Sequence, residues 1–137
     1  MARRLDDRVA RSVLVARELA LLDAAGPDRQ ARFYELWTCK EAVAKALALG
    51  LHLPFESFGV ALDPPRLAEL PPAAPEAAGL RLALVAPLAS HRLAVAAATT
   101  DALALRFRRS AVVPGHESAP PGANSTAFEL ARPNGDE

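Results

Sequence analysis

The spacing of apolar residues changes from about 3.6 residues to two near Pro54, and this change constrains the fold more than any other feature of the sequence. Before Pro54 the spacing is typical of amphipathic helices. After it, apolar residues alternate with polar or small ones, as in half-buried strands. Because helices and strands occupy separate parts of the chain, the pattern predicts an α+β fold in which two helices pack on a small antiparallel sheet.

Two helices are predicted before Pro54, over about residues 5–22 and 28–49. Between them, Gly26 suits the position just past a helix end, and Asp28 can cap the next helix. Gly50 is predicted to end the second helix in the same way.

Period-two alternation and turn residues place the strands. The predicted strands cover residues 58–62, 80–88, 90–100 and 102–113. The stretch 63–79 contains five prolines, which lack the backbone donors that a central strand needs. It is therefore interpreted as a variable connection or an excursion at the edge of the sheet.

One folded domain is predicted over residues 1–110. The remainder, residues 111–137, is polar and proline-rich and is predicted to be a disordered tail.

Composition argues against several classes of function. Sixteen basic and sixteen acidic residues cancel, so the chain lacks the net positive charge of a nucleic-acid-binding module. No apolar run is long enough to span a bilayer, and the N-terminal segment does not resemble a secretory signal. Cys39 is the only cysteine, which excludes an internal disulfide and fits a reducing compartment. We expect a cytoplasmic protein that binds neither nucleic acid nor membrane.

Trp37, Glu41 and Lys45 follow one another at steps of four residues and would share one helix face. One interpretation is an exposed ion pair worth about 0.2 to 0.5 kcal/mol, with the tryptophan anchoring the helix. The other is that the carboxylate holds a hard cation and the ammonium a phosphate oxygen. The spacing alone leaves both interpretations open.

The longer string FYELWTCKEAVAKALALGLHLPFESFGVAL resembles the hallmark of the 4′-phosphopantetheinyl transferases, a family that includes holo-[acyl-carrier-protein] synthase, and in particular its larger, Sfp-like branch. The similarity covers about residues 9–107, which correspond to the C-terminal half of that branch. The matching residues are Trp37, Lys40, Glu41, Ala42, Lys45, Gly50, Leu51, Pro54, Phe58 and Val60.

The resemblance implies a reaction and assigns residues to it. Family members transfer phosphopantetheine from coenzyme A to a serine of an acyl or peptidyl carrier protein, with Mg²⁺ at the pyrophosphate. By this resemblance, Glu41 would bind the metal and help to deprotonate the serine. Lys45 would neutralise phosphate charge, and Lys40 would have a supporting role near the phosphate or the carrier protein.

The sequence departs from the family at one motif. It contains no Gly-x-Asp-x-Glu motif, whose acids complete the metal site in other members. Asp6 and Asp7 are interpreted as helix-capping acids and not as substitutes. We therefore expect transferase activity to be compromised in this chain alone. We also expect it to self-associate or to need a complementary N-terminal half.

Two alternatives remain open: a non-enzymatic remnant that binds a carrier protein or its own kind, and an unrelated α+β interaction domain.

Other polar residues are given ordinary interpretations. Cys39 is assigned to packing, and His52 and His91 to exposed loops. Arg106, Arg108 and Arg109 are assigned to a solvated strand face, with steering of an acidic partner as the alternative.

Overall fold

The structure is a computed structural model, and it describes residues 5–101, 103–107 and 128–131. It has the predicted α+β architecture, with helices first and antiparallel strands after them. The helices are α1 (Asp7–Val13), α2 (Ala16–Ala24) and α3 (Arg29–Ala46). The strands are β1 (Gly59–Leu62), β2 (Pro65–Glu69), β3 (Leu80–Leu88), β4 (His91–Ala98), β5 (Ala104–Phe107) and β6 (Phe128–Ala131).

The prediction of one helix over residues 5–22 is wrong, because the chain breaks into α1 and α2 at Leu14 and Val15. Both residues have extended backbone angles. Leu14 is buried, and the Val15 N–H donates to the side chain of Glu18 at 2.9 Å. The helical periodicity continues through this break, so the apolar pattern does not reveal it. Asp6 caps α1 as predicted, since its carboxylate accepts the Arg8 N–H at 2.8 Å.

Helix α3 begins close to its predicted start and ends earlier than predicted. Asp28 occupies the capping position, but its side chain makes no capping hydrogen bond. The helix ends at Ala46 because Ala48 adopts a φ of 55°. The Ala48 and Leu49 N–H groups then donate to the carbonyls of Lys45 and Ala44, at 3.0 and 3.2 Å. These two bonds form a Schellman motif, and Gly50 follows it instead of ending the helix.

The described strands form three antiparallel pairs, β1 with β2, β3 with β4 and β5 with β6. The proline-rich stretch contributes β2, which pairs with β1 and also contacts β3. The sequence did not predict β6, which falls within the segment expected to be disordered. The rest of that segment, 111–127 and 132–137, lies outside the described residues, so its disorder stays a prediction. The predicted strand over 102–113 is described at 103–107 only.

Helix α3 packs across the strands and makes the main helix-to-strand contacts, with β4, β1 and β3. Helix α2 packs beside α3 and also contacts β1. Cys39 is fully buried in this core, which confirms its packing role, and His52 and His91 are exposed as predicted. The Arg106 side chain and both Arg108 and Arg109 lie outside the described residues. The large apolar side chains that are fully buried in this core include Leu22, Leu36, Val43, Leu53, Phe58 and Val60.

Candidate active site

Glu41 and Lys45 lie on the exposed face of the last turns of α3. The Lys45 Nζ is 3.5 Å from Glu41 Oε2, and the lysine and glutamate side chains are 77% and 42% exposed. Both groups therefore remain accessible to a ligand. At this exposure their mutual attraction contributes little to stability, so the pair is not needed to hold the helix together.

A shallow cavity lies beside this pair and encloses about 150 Å³. Pockets that hold whole small-molecule ligands usually enclose about 300 to 1,000 Å³, so this one can hold only part of a molecule the size of coenzyme A. Its lining residues are Glu41, Ala44, Lys45, Gly50, Leu51 and Phe55.

The wall opposite the helix is apolar and comes from the chain that follows α3. Leu51 is fully exposed at its rim. Phe55 is half-buried, and its ring meets the Trp37 ring edge-on with centroids 5.3 Å apart. The tryptophan of the motif thus supports the cavity through Phe55, because Phe55 lines the cavity and Trp37 packs behind it.

Lys40 is next to Glu41 in sequence but points into the protein, where its side chain is fully buried. Its Nζ lies 2.9 Å from Glu18 Oε2 and donates to the Phe55 carbonyl at 2.7 Å and to the Phe58 carbonyl. These three acceptors match the three N–H donors of the ammonium group. The Nζ also lies 4.6 Å from the centre of the Phe58 ring, within cation–π range.

Glu18 is the other half of this buried network, with 1% of its side chain exposed. Its Oε1 accepts the Val60 N–H at 2.7 Å, and its Oε2 accepts the Val15 N–H at 2.9 Å. Burial lowers the pKa of Lys40, while the charge of Glu18 and its hydrogen bond oppose that shift. The network ties α2, α3 and the start of β1 together.

The structure therefore brings Glu41 and Lys45 together at the surface and separates the Lys40 ammonium from them. Sequence reasoning did not identify Glu18 or Phe55 as parts of the site. The resemblance places an acid at Glu18 in the helix that precedes the motif, but assigned it no role in the site. A second signal was its position three residues after Val15, where a helix N-terminus often has a glutamate. That signal was weak because valine has no side-chain acceptor to complete the usual capping pair.

The acids around the site limit how a cation would be held. Within the described part of the chain, no group of three or more His, Cys, Asp or Glu side chains could hold a metal ion. Asp6 caps α1, and Asp7 pairs with Arg29 at 2.8 Å. Glu41 is accessible and offers the hard oxygen ligands that Mg²⁺ prefers. Mg²⁺ is often held by one or two carboxylates together with substrate phosphates, so Glu41 fits as the protein's share of such a site.

A larger groove of about 510 Å³ lies between the first half of α3 and the turn joining β3 to β4. The turn is held against the helix by Arg92, whose Nε donates to Glu35 Oε1 at 3.0 Å. Its lining is mostly neutral, and Glu41 and Lys45 are not part of it. The groove is therefore separate from the candidate site.

The fold and site define a small α+β domain in which one helix presents an accessible carboxylate and ammonium beside a shallow, half-apolar cavity. A family model described as the 4′-phosphopantetheinyl transferase superfamily matches residues 1–96, and the chain belongs to that superfamily. Membership of this superfamily indicates phosphopantetheinyl transfer as the general class of activity. Comparison with curated proteins gave no match, and neither did comparison with solved structures. Among the described residues, no helix has the length and apolar character needed to cross a membrane.

Proposed function

We propose that this chain takes part in transferring 4′-phosphopantetheine from coenzyme A to a serine hydroxyl of an acyl or peptidyl carrier protein. The observation that carries the proposal is the accessible Glu41–Lys45 pair, which belongs to the motif and lies beside a cavity within the matched region. In this reaction the serine oxygen bonds to the β-phosphorus of coenzyme A. The bond to the bridging oxygen breaks, and adenosine 3′,5′-bisphosphate leaves.

Glu41 is assigned two tasks in this reaction. Its carboxylate would hold Mg²⁺, which when bound supplies charge neutralisation at the pyrophosphate. The same carboxylate would receive the serine proton, directly or through a water molecule. Its exposure supports both tasks, because an accessible carboxylate can reach ligands that arrive from solvent.

Lys45 is assigned to the phosphate charge. Its ammonium lies on the same helix face as Glu41 and is mostly exposed, so it can turn toward a phosphate oxygen without breaking a buried contact. Phosphoryl transfer depends mainly on positioning and on neutralising charge that develops as the bond breaks. For Lys40, the buried network supports a role in positioning and not in direct contact with phosphate.

The small cavity supports a site shared with a second protein surface. A volume of about 150 Å³ leaves most of coenzyme A uncovered, and Leu51 is a large apolar residue left exposed at the rim. We propose that another copy of the chain, or a complementary N-terminal half, covers Leu51 and supplies further ligands for Mg²⁺ and coenzyme A. The soluble nature of both substrates supports a cytoplasmic location.

A non-enzymatic module that binds a carrier protein or its own kind is the second candidate. Two observations favour it: the site offers one accessible carboxylate, and the cavity is small. On this alternative, the surface around the exposed Leu51 would bind a partner without catalysing a reaction.

The test is to incubate the chain with coenzyme A, Mg²⁺ and an apo carrier protein, and to weigh the carrier by mass spectrometry. A parallel reaction adds a polypeptide that carries the family's Gly-x-Asp-x-Glu strand. We expect little or no transfer by the chain alone, transfer with the added polypeptide, and none with Glu41→Gln. If neither reaction modifies the carrier, the transferase proposal is wrong and the binding module is favoured.

A further inference from the structure

The geometry points to Lys40 as a positioning residue that fixes the Phe55 wall of the cavity relative to Glu41 and Lys45. This inference rests on the proposed function only for its consequences in catalysis. The contacts of Lys40 on which it depends are present in the folded chain without substrate.

The Lys40 ammonium holds main-chain atoms of the segment that follows α3. Two of its three hydrogen bonds go to main-chain carbonyls, those of Phe55 and Phe58, and not to side chains. These residues begin and follow a single 3₁₀ turn, Phe55–Ser57, between Pro54 and β1. Because both bonds are to the backbone, Lys40 fixes the path of this segment whatever side chains the segment has.

Phe55 connects this segment to the candidate site. Phe55 lines the cavity together with Glu41 and Lys45, and it is also a residue whose carbonyl Lys40 holds. Lys40 immediately precedes Glu41 on α3. One lysine therefore ties the wall of the cavity to the helix that presents the two reactive groups.

Glu18 holds the other end of this segment. Its carboxylate pairs with Lys40 and accepts the Val60 N–H, at the point where the β1–β2 register shifts between Gly59 and Val60. Glu18 thus holds the segment at its far end while Lys40 holds it at Phe55 and Phe58. The segment is fastened at both ends by a single buried ion pair.

If the Lys40–Glu18 pair only stabilised the fold, the lysine would not need to donate to the two carbonyls. A buried ion pair can often be replaced by apolar residues without loss of stability, so burial alone does not explain the choice of lysine. An ammonium differs from an apolar side chain in supplying donors to the two carbonyls. That difference provides the test.

The test compares three variants of the full chain: Lys40→Met, Glu18→Gln with Lys40→Met, and the control Glu35→Gln with Arg92→Met. The double variant Glu18→Gln with Lys40→Met has no buried carboxylate left without a partner. Its glutamine still offers a side-chain oxygen to the Val60 N–H. The double variant lacks the donors to Phe55 and Phe58. The control removes a different ion pair of α3, between Glu35 and Arg92 of β4, which are 3.0 Å apart and do not line the cavity.

The first readouts need no activity: hydrogen exchange over residues 50–60 and the fluorescence of Trp37, which contacts Phe55. We expect faster exchange in this segment and altered Trp37 emission in the double variant at Glu18, even though its unfolding midpoint recovers relative to Lys40→Met. The control should keep wild-type exchange there. Wild-type exchange and emission in the recovered double variant would overturn the positioning role.

The second readout is kinetic and uses the transfer assay with the complementing polypeptide. We expect kcat/KM for coenzyme A to fall about ten- to one-hundredfold in the recovered double variant, as for other residues that orient a reacting group. If kcat/KM falls in Lys40→Met but returns to the wild-type value in the double variant with recovered stability, the inference is contradicted. If the wild-type protein transfers nothing, the proposed function fails, and the exchange and fluorescence data still decide whether Lys40 fixes the segment.

Discussion

The Lys40 ammonium and the Glu18 carboxylate lie 2.9 Å apart, and neither side chain reaches solvent. The next residue, Glu41, lies at the surface in a looser pair with Lys45, at 3.5 Å. Two adjacent motif residues thus have opposite environments. Their substitution should separate effects on stability from effects on function.

Removing one partner of the buried pair should destabilise the protein strongly. We expect Lys40→Met to lower the free energy of unfolding by about 3 to 5 kcal/mol, because Glu18 is then a buried and uncompensated charge. Glu18→Gln with Lys40→Met should recover much of that loss. Urea unfolding followed by circular dichroism measures both. A double variant no more stable than Lys40→Met would contradict this explanation of the loss.

Glu41→Gln should leave stability nearly unchanged and abolish transfer. The exposed pair contributes at most about 0.5 kcal/mol to folding, so its loss is hard to detect by urea unfolding. Loss of the metal-binding and proton-accepting carboxylate should reduce the rate at least a hundredfold, since positioned acid–base groups contribute about 10² to 10⁴. The check is the complemented assay with wild-type and variant chains side by side. Retained activity would remove Glu41 from the mechanism.

Lys45→Ala should act mainly on coenzyme A. Loss of the ammonium should raise KM for coenzyme A and weaken the dependence of KM on ionic strength, because an exposed charge attracts phosphate through a screened field. Lys45→Arg retains the charge and serves as the matched control. Steady-state kinetics at two salt concentrations measures the effect. Unchanged kinetics would reduce the Glu41–Lys45 pair to a surface ion pair.

Mg²⁺ should bind measurably only together with coenzyme A. One accessible carboxylate supplies too few ligands, and the diphosphate supplies the remainder. Isothermal titration of this chain, without the complementing polypeptide, with MgCl₂ in the presence and absence of coenzyme A tests this dependence. Glu41→Gln should abolish the coenzyme-dependent heat. Tight binding to the chain alone would point to metal ligands other than Glu41.

Cys39 should resist thiol reagents in the folded protein and make stability fall at high pH. Burial, helped by the charges of Glu35 and Glu18, raises the pKa of the thiol from 9.0 to about 12. The unfolded chain loses this proton first, so the contribution is complete below pH 9 and is lost as pH rises toward 12. Labelling with a thiol reagent, with and without urea, tests burial. The difference between wild type and Cys39→Ala in unfolding free energy from pH 8 to 11 tests the sign, and a difference that does not change with pH would contradict it.

The sequence by itself determined the α+β class, the family and the surface position of Glu41 and Lys45. Each depends on local information: the change of apolar period at Pro54, the ordered motif, and the four-residue spacing on a helix. The packing role of Cys39 also followed from residue type.

Tertiary structure alone decided the break between α1 and α2 and the burial of Lys40. The burial of Lys40 depends on Glu18 meeting it in the interior, although the two are 22 positions apart in the sequence, and at the break the same Glu18 carboxylate accepts the Val15 N–H. Helical periodicity cannot reveal such a pairing, because it reports which face a residue occupies and not which distant residue lies opposite it. The cost of burying a charge without a partner is what turns the two side chains toward each other and fixes the cavity wall beside Glu41.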